Sequence, residues 1–251
     1  MSSCTISVSS HRERLVELGY TIVPNVLSKD EVSNYRRVMI EYFSCHGNRS
    51  PDGVYTQPDA INVLELEALC EVFGLSTLNQ VLRGICDGEL RYLHHFDVHM
   101  NMLTRYHDDT QAKYLQGEYK HLASESLHDK ADYAVFTIAI YLQDHVDGGG
   151  LFLRPGSHRD LSCSDEVYIG PKAGDVLVFD ARCVHKADTD SETMRDAPKR
   201  CAIFYRLGNN SRHSIAHALG AISRQLTQNR CTQYQLQPHV ASYLESQQIL
   251  Y

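Results

Sequence analysis

From residue 90 onward the chain breaks into short strand-like runs, LHHFDVHMNML, AVFTIAIYL, GLFLRPGSH, DVLVFDARCVH and RCAIFYRLG. This texture constrains the fold more than any other feature. Gly148, Gly149 and Gly150, then Pro155 and Gly156, punctuate the runs as turns. In the first run Phe96, Val98, Met100 and Met102 alternate with His95, Asp97, His99 and Asn101. Period-two alternation describes a strand with one apolar and one polar face. A polar face on a core strand fits the lining of a wet cavity.

The first half of the chain reads as helices. Ser10 with Glu13 and Ser28 with Glu31 both fit S-x-x-E, a reciprocal cap that satisfies free amides at a helix start. After the second, Val32, Tyr35, Val38, Met39, Tyr42 and Phe43 recur at helical spacing. Between the caps GYTIVPNVL reads as extended, with Pro24 unsuited to a helix interior. A third helix is expected after Ser76 and Thr77, and helical texture returns from about Ser211. Short strands after a helical half indicate an α+β layout with a β-barrel or jelly roll at its centre. The expectation is one domain over 1–251: a helical layer at about 10–88, a core at about 90–208 and C-terminal helices at about 211–251. Residues 110–132 form a long polar connection between core strands, as a binding loop or lid would.

Composition removes several partners. The formal net charge is −7 and no run of Lys or Arg occurs, so no nucleic acid is expected. No apolar stretch is long enough to span a bilayer, so no membrane is expected either. MSSCTISVSS runs straight into HRER without a readable signal peptide, which suggests a cytoplasmic protein. The eight cysteines contain no C-x-x-C pair, so reduced thiols are expected rather than disulfides or structural zinc.

One constellation carries chemistry. His107 and Asp109 form an H-x-D pair, and His185 lies 78 residues further on, at the end of an apolar run. Two imidazoles and one carboxylate hold Fe(II) on one face and leave open positions on the other. A second H-x-D exists at His95-Phe96-Asp97, and Asp108 is an alternative to Asp109 if the register slips. His158, in PGSH, reads as a turn residue rather than a ligand.

Taken together, GYTIVPNVLSKDEV, His107-Asp108-Asp109, DGGGLFLRPGSHR, His185 in GDVLVFDARCVHKAD and Arg200 in KRCAIFYR resemble the phytanoyl-CoA dioxygenase-like branch of the Fe(II)/2-oxoglutarate oxygenases. The resemblance spans most of the chain, with the elements in the family's order. It implies a double-stranded β-helix (jelly-roll, cupin-like) core. It also implies Fe(II) bound by His107, Asp109 and His185, with 2-oxoglutarate and O2 as co-substrates. Arg200 would grip the distal carboxylate of 2-oxoglutarate through its two-pronged guanidinium, with Arg195 and Arg206 as alternatives. Strand parity, not the resemblance, turns four more residues toward the pocket: Asn101 and Thr137 for the co-substrate, and His99 and Tyr141 for the substrate. Family members that halogenate lack the carboxylate that Asp109 supplies, so hydroxylation, desaturation or cyclisation of a small metabolite is favoured. Succinate and CO2 would be released. Two departures are the long 110–132 loop and the absence of Trp, with Tyr106 just before the H-x-D. The expected partner is a small-molecule substrate, and the chain a monomer or homodimer. A metal-retaining jelly roll that only binds ligand, or a zinc-dependent hydrolase, is the alternative.

Overall fold

The computed structural model describes residues 7–46, 54–102, 104–110, 114–115, 120, 127–130, 132–144, 150–187, 200–228 and 233–251. Helices α1 (Val8–Leu18) and α2 (Lys29–His46) flank strand β1 (Tyr20–Val23). The cap of α2 is the reciprocal one: Ser28 N donates to Glu31 Oε2 (2.7 Å) and Glu31 N to Ser28 Oγ (3.2 Å). The cap of α1 is not Ser10. Ser7 takes that place, its hydroxyl accepting from Ser10 N, so the helix starts one turn earlier than Ser10 with Glu13 suggested. Strand β2 (Tyr55–Gln57), tight turns over Leu64–Gly74 and helix α3 (Ser76–Ile85) follow.

The strand-rich core comprises β3 (Leu90–Met100), β4 (Val135–Tyr141), β5 (Leu151–Leu153), β6 (Val167–Ile169), β7 (Val176–Asp180), β8 (His185–Ala187) and β9 (Cys201–Gly208). Helices α4 (Arg212–Gln228) and α5 (Pro238–Ser246) and the short β10 (Ile249–Leu250) close the chain. The larger sheet runs β1-β7-β4-β9-β3-β10, with β2 also on β3; the smaller runs β6-β5-β8. His107 joins the smaller sheet through an isolated antiparallel bridge to His185. Successive core segments therefore shuttle between sheets. DVLVFDARCVH is not one strand: it turns at Ala181–Val184 and crosses from the larger sheet (β7) to the smaller (β8).

Alternation decides what each sheet face meets. Phe96, Val98, Ile138, Ile140, Ile203 and Tyr205 pack outward against Tyr35, Met39, Phe73, Leu78 and Leu82 of the helical layer. Each such fully buried side chain contributes roughly 2 kcal/mol by leaving water. Ala139, Tyr141, Leu177, Phe179 and Ala202 instead meet Leu151, Leu153 and Ile169 between the sheets. Pairing of β3 with β9 shifts between Tyr92 and Phe96, where His94 has φ 53°, so Leu93, His94 and His95 stand against Arg206. Met102 lies beyond the end of β3. Much of the 110–132 connection, and Gly148 and Gly149, lie outside the described residues. The six cysteines among those residues are free thiols. No described helix is long and apolar enough to cross a membrane.

Candidate metal centre

His107, Asp109 and His185 converge where the two sheets meet. Their donor atoms all lie within 4.8 Å of one another. His107 Nε2 is 3.8 Å from Asp109 Oδ1, and His185 Nε2 is 3.8 Å from Asp109 Oδ2. The bridge that brings the imidazoles together is a backbone one: His107 N to His185 O (3.0 Å) and the reverse (2.9 Å). The side chain of His185 is 5% exposed and that of Asp109 12%, whereas that of His107 is 39% exposed.

Each imidazole is oriented by a carbonyl. His107 Nδ1 lies 2.7 Å from Arg105 O, and His185 Nδ1 lies 2.9 Å from Cys183 O. A carbonyl only accepts, so each Nδ1 carries the hydrogen and each Nε2 turns a lone pair toward Asp109. Burial holds the His185 pKa below the ordinary value, partly opposed by the Asp109 charge, which keeps the ring neutral. Burial also works against the charge on Asp109, but the Arg206 guanidinium outweighs it and holds the carboxyl well below its usual range. Neutral imidazole and ionised carboxylate are the forms that bind metal. Three N/O donors with no thiolate suit Fe(II).

The turn bearing His185 is braced from elsewhere in the sequence. Val184 N donates to Ser157 Oγ (2.9 Å), and Asp180 N donates to Gly19 O (2.8 Å). Gly19 has φ 82°, and a Cβ there would sit 2.4 Å from Cys183 Sγ. His158 is buried with Nε2 3.2 Å from Val16 O, a strut rather than a ligand.

The remaining candidates fall into two groups. Thr137 donates to Asp109 Oδ2 (2.9 Å) and so sits against the carboxylate itself. Tyr141 lies four residues further along β4, roughly 13 Å at ordinary strand rise, and Arg200 stands just before β9, beyond the Tyr141–Ala202 pair. Arg200 is 4% exposed; its Nη2 donates to Gly150 O (3.1 Å) and lies 3.4 Å from Tyr141 Oη. Asn101 (φ 59°) exchanges bonds with the Arg200 backbone: its N donates to Arg200 O and its Oδ1 accepts from Arg200 N, both 2.8 Å. His99 Nδ1 is 3.0 Å from Thr56 Oγ1, and its ring packs beside Phe204. Arg195 lies outside the described residues.

The second H-x-D does not join this cluster. His95 and Asp97 bind each other (Nε2 to Oδ2, 3.2 Å), and Asp97 is bound by Arg224 of α4. Arg206 Nη2 pairs with Asp109 Oδ1 at 2.7 Å. Reading the sequence named Arg206 only as an alternative to Arg200, and found nothing chemical in α4. Yet α4 also carries His217, buried beside that helix's Arg224, with no hydrogen-bond partner among the described residues for either ring nitrogen.

Two sheets with this donor set at their junction fit the Fe(II)/2-oxoglutarate-dependent enzymes. The profile of the phytanoyl-CoA dioxygenase (PhyH) family matches residues 15–197, and the chain belongs to that family. Its cofactor set is Fe(II) with 2-oxoglutarate and O2 as co-substrates. The fold is shared with solved structures. The 2-oxoglutarate-dependent epimerase SnoN from nogalamycin biosynthesis is 20% identical, over 80% of this chain and 83% of its own, with a TM-score of 0.61. The carbocyclase SnoK from the same biosynthesis is 20% identical, over 82% and 87%, with a TM-score of 0.61. HygX from Streptomyces hygroscopicus, solved with nickel and 2-oxoglutarate bound, is 15% identical, over 79% and 87%, with a TM-score of 0.60. No curated protein matches the sequence.

Proposed function

We propose that the protein is a dioxygenase that hydroxylates a small metabolite on a double-stranded β-helix core. Both sheets would form one jelly roll, with His107, Asp109 and His185 as the metal ligands. The convergence of these three donors within 4.8 Å carries the reading. Held by these residues, Fe(II) would supply O2 activation coupled to oxidative decarboxylation of 2-oxoglutarate to succinate and CO2. His107 and His185 present Nε2 because Arg105 O and Cys183 O hold their other nitrogens. Phe179, edge-on to His185 at 4.8 Å, keeps water from that side of the site.

Arg200 would grip the distal carboxylate of 2-oxoglutarate. Arg206 is committed to Asp109, whereas Arg200 is equally buried away from that carboxylate, beside the Tyr141 hydroxyl. Asn101 sets the Arg200 backbone, and Thr137 steadies Asp109. Because the similarly folded SnoN and SnoK are an epimerase and a carbocyclase, the proposal extends to desaturation and ring closure as outcomes.

The test is anaerobic addition of Fe(II), then 2-oxoglutarate, to metal-free protein while watching the weak visible band of the chelated co-substrate. The band is expected in the native protein, absent in His107→Ala, and at higher 2-oxoglutarate concentration in Arg200→Ala. A well-folded native protein that takes up Fe(II) and shows no band would overturn the assignment.

A further inference from the structure

Behind Asp109 lies an unbroken series of buried polar contacts. Arg206 donates through Nη2 to Asp109 Oδ1 (2.7 Å) and through Nε to Thr137 Oγ1 (3.2 Å). Its Nη1 bonds His95 Nδ1. His95 Nε2 then meets Asp97 Oδ2 at 3.2 Å, and Arg224 Nη2 lies 2.9 Å from both oxygens of Asp97. Arg206, His95, Asp97 and Arg224 are each at most 9% exposed.

The polarity of the series is fixed at both ends. A guanidinium only donates and an ionised carboxylate only accepts. Between Arg206 and Asp97, His95 therefore has a bare Nδ1 and a protonated Nε2. The opposite tautomer would set an N–H against the Arg206 N–H and a lone pair against the Asp97 carboxylate. Asp97 thus selects the tautomer that lets Arg206 remain on Asp109, and Arg224 supplies the countercharge that keeps Asp97 ionised inside the protein.

We propose that Arg224, on the C-terminal helix, is a positioning residue for the metal centre, acting through Asp97 and His95 to hold Arg206 on Asp109. This rests on the metal-centre reading above and adds a residue that touches neither metal nor co-substrate. The family's motif residues and α4 are then parts of one site, although Arg224 lies 127 residues from Asp97 in sequence.

The test uses full-length protein labelled with 15N-histidine. In the metal-free native protein the His95 ring, assigned by its loss in His95→Gln, is expected to show the Nε2-protonated tautomer. Asp97→Leu and Arg224→Met remove the constraint on the Nε2 side and leave only Arg206 acting on Nδ1, so the ring is expected to show a mixture of the two tautomers in place of the single native form. Both variants should also weaken Fe(II) binding about tenfold, measured anaerobically against a competing chelator. If Arg224→Met does not fold, Arg224→Gln serves, because a neutral amide can still donate to Asp97 but supplies no countercharge. A folded variant that leaves either the tautomer or the Fe(II) affinity unchanged overturns the proposal, since the first breaks the link at His95 and the second the link to the metal. Failure of the native protein to bind Fe(II) is a different result: it removes the metal-centre reading before any variant is compared, and with it the claim about affinity.

Discussion

Arg206 and Asp109 form a buried ion pair, Nη2 to Oδ1 at 2.7 Å, inside a site whose other occupant would be a divalent cation. Arginine and metal would therefore share one carboxylate. In metal-free protein the guanidinium is its main countercharge, and removing one partner of a buried pair is costly. Arg206→Met should destabilise the metal-free protein by roughly 3 kcal/mol. Added Co(II) or Fe(II) should recover more stability in the variant than in the native chain. Urea unfolding with and without metal measures both, and equal metal-induced gains would argue against the sharing.

Gly19 should tolerate no side chain. Its φ of 82° disfavours any L-residue, and an added Cβ would lie 2.4 Å from Cys183 Sγ, in the turn before His185. Gly19→Ala should cost more than about 1 kcal/mol, read as a lowered urea midpoint. A midpoint equal to native would show that the turn yields.

Two buried aspartates make opposite contributions with pH. Burial opposes the Asp97 charge, but His95 and Arg224 overcome it and hold its pKa well below the ordinary value. Its stabilisation is present above the unfolded pKa of about 3.9 and is lost as pH falls through the folded value. Burial, aided by Asp97 and opposed by the Asn62 hydrogen bonds, raises Asp59 to about 6. Its contribution is full below the unfolded value and is lost as pH rises through about 6. Asp59→Asn, at a left-handed position with φ 55° that asparagine accepts, should therefore flatten the stability profile between pH about 4 and about 6. Denaturant melts across that range decide it: an unchanged slope would refute the Asp59 assignment.

Helix α2 depends on its start. Ser28 Oγ accepts from Glu31 N and donates to Glu31 Oε2. Ser28→Ala should lower stability by about 1 kcal/mol without altering Fe(II) binding, measured by thermal melts and metal titration. A changed metal affinity would mean that the helical layer reaches the site.

Legibility in the sequence followed the range of the interaction. The Ser28–Glu31 cap lies within one turn, and the alternation of β3 lies within one strand, so both could be read locally. His107 and Asp109 were readable as a pair because two residues of spacing place them on one short segment. The S-x-x-E at Ser10 misled because Ser7, one turn earlier, caps the helix and leaves Ser10 inside it. DVLVFDARCVH concealed a sheet crossing because three of the four turn residues, Ala181, Cys183 and Val184, are apolar and no Gly or Pro marks the turn. Arg206 and Arg224 were not readable as neighbours of the site: their partners are 97 and 127 residues away, and no local pattern distinguishes them from other arginines.

The unequal exposure of the two imidazoles gives the centre a front and a back. His185 and Asp109 are set into the packed interior, while 39% of the His107 side chain faces outward. An incoming ion would meet His107 at the rim, and the two inner donors would complete its shell as water is stripped away. Departure would reverse that order, so dissociation would be governed at one outer imidazole. Changes around His107 should set how fast iron exchanges, and changes around His185 how tightly it is finally held.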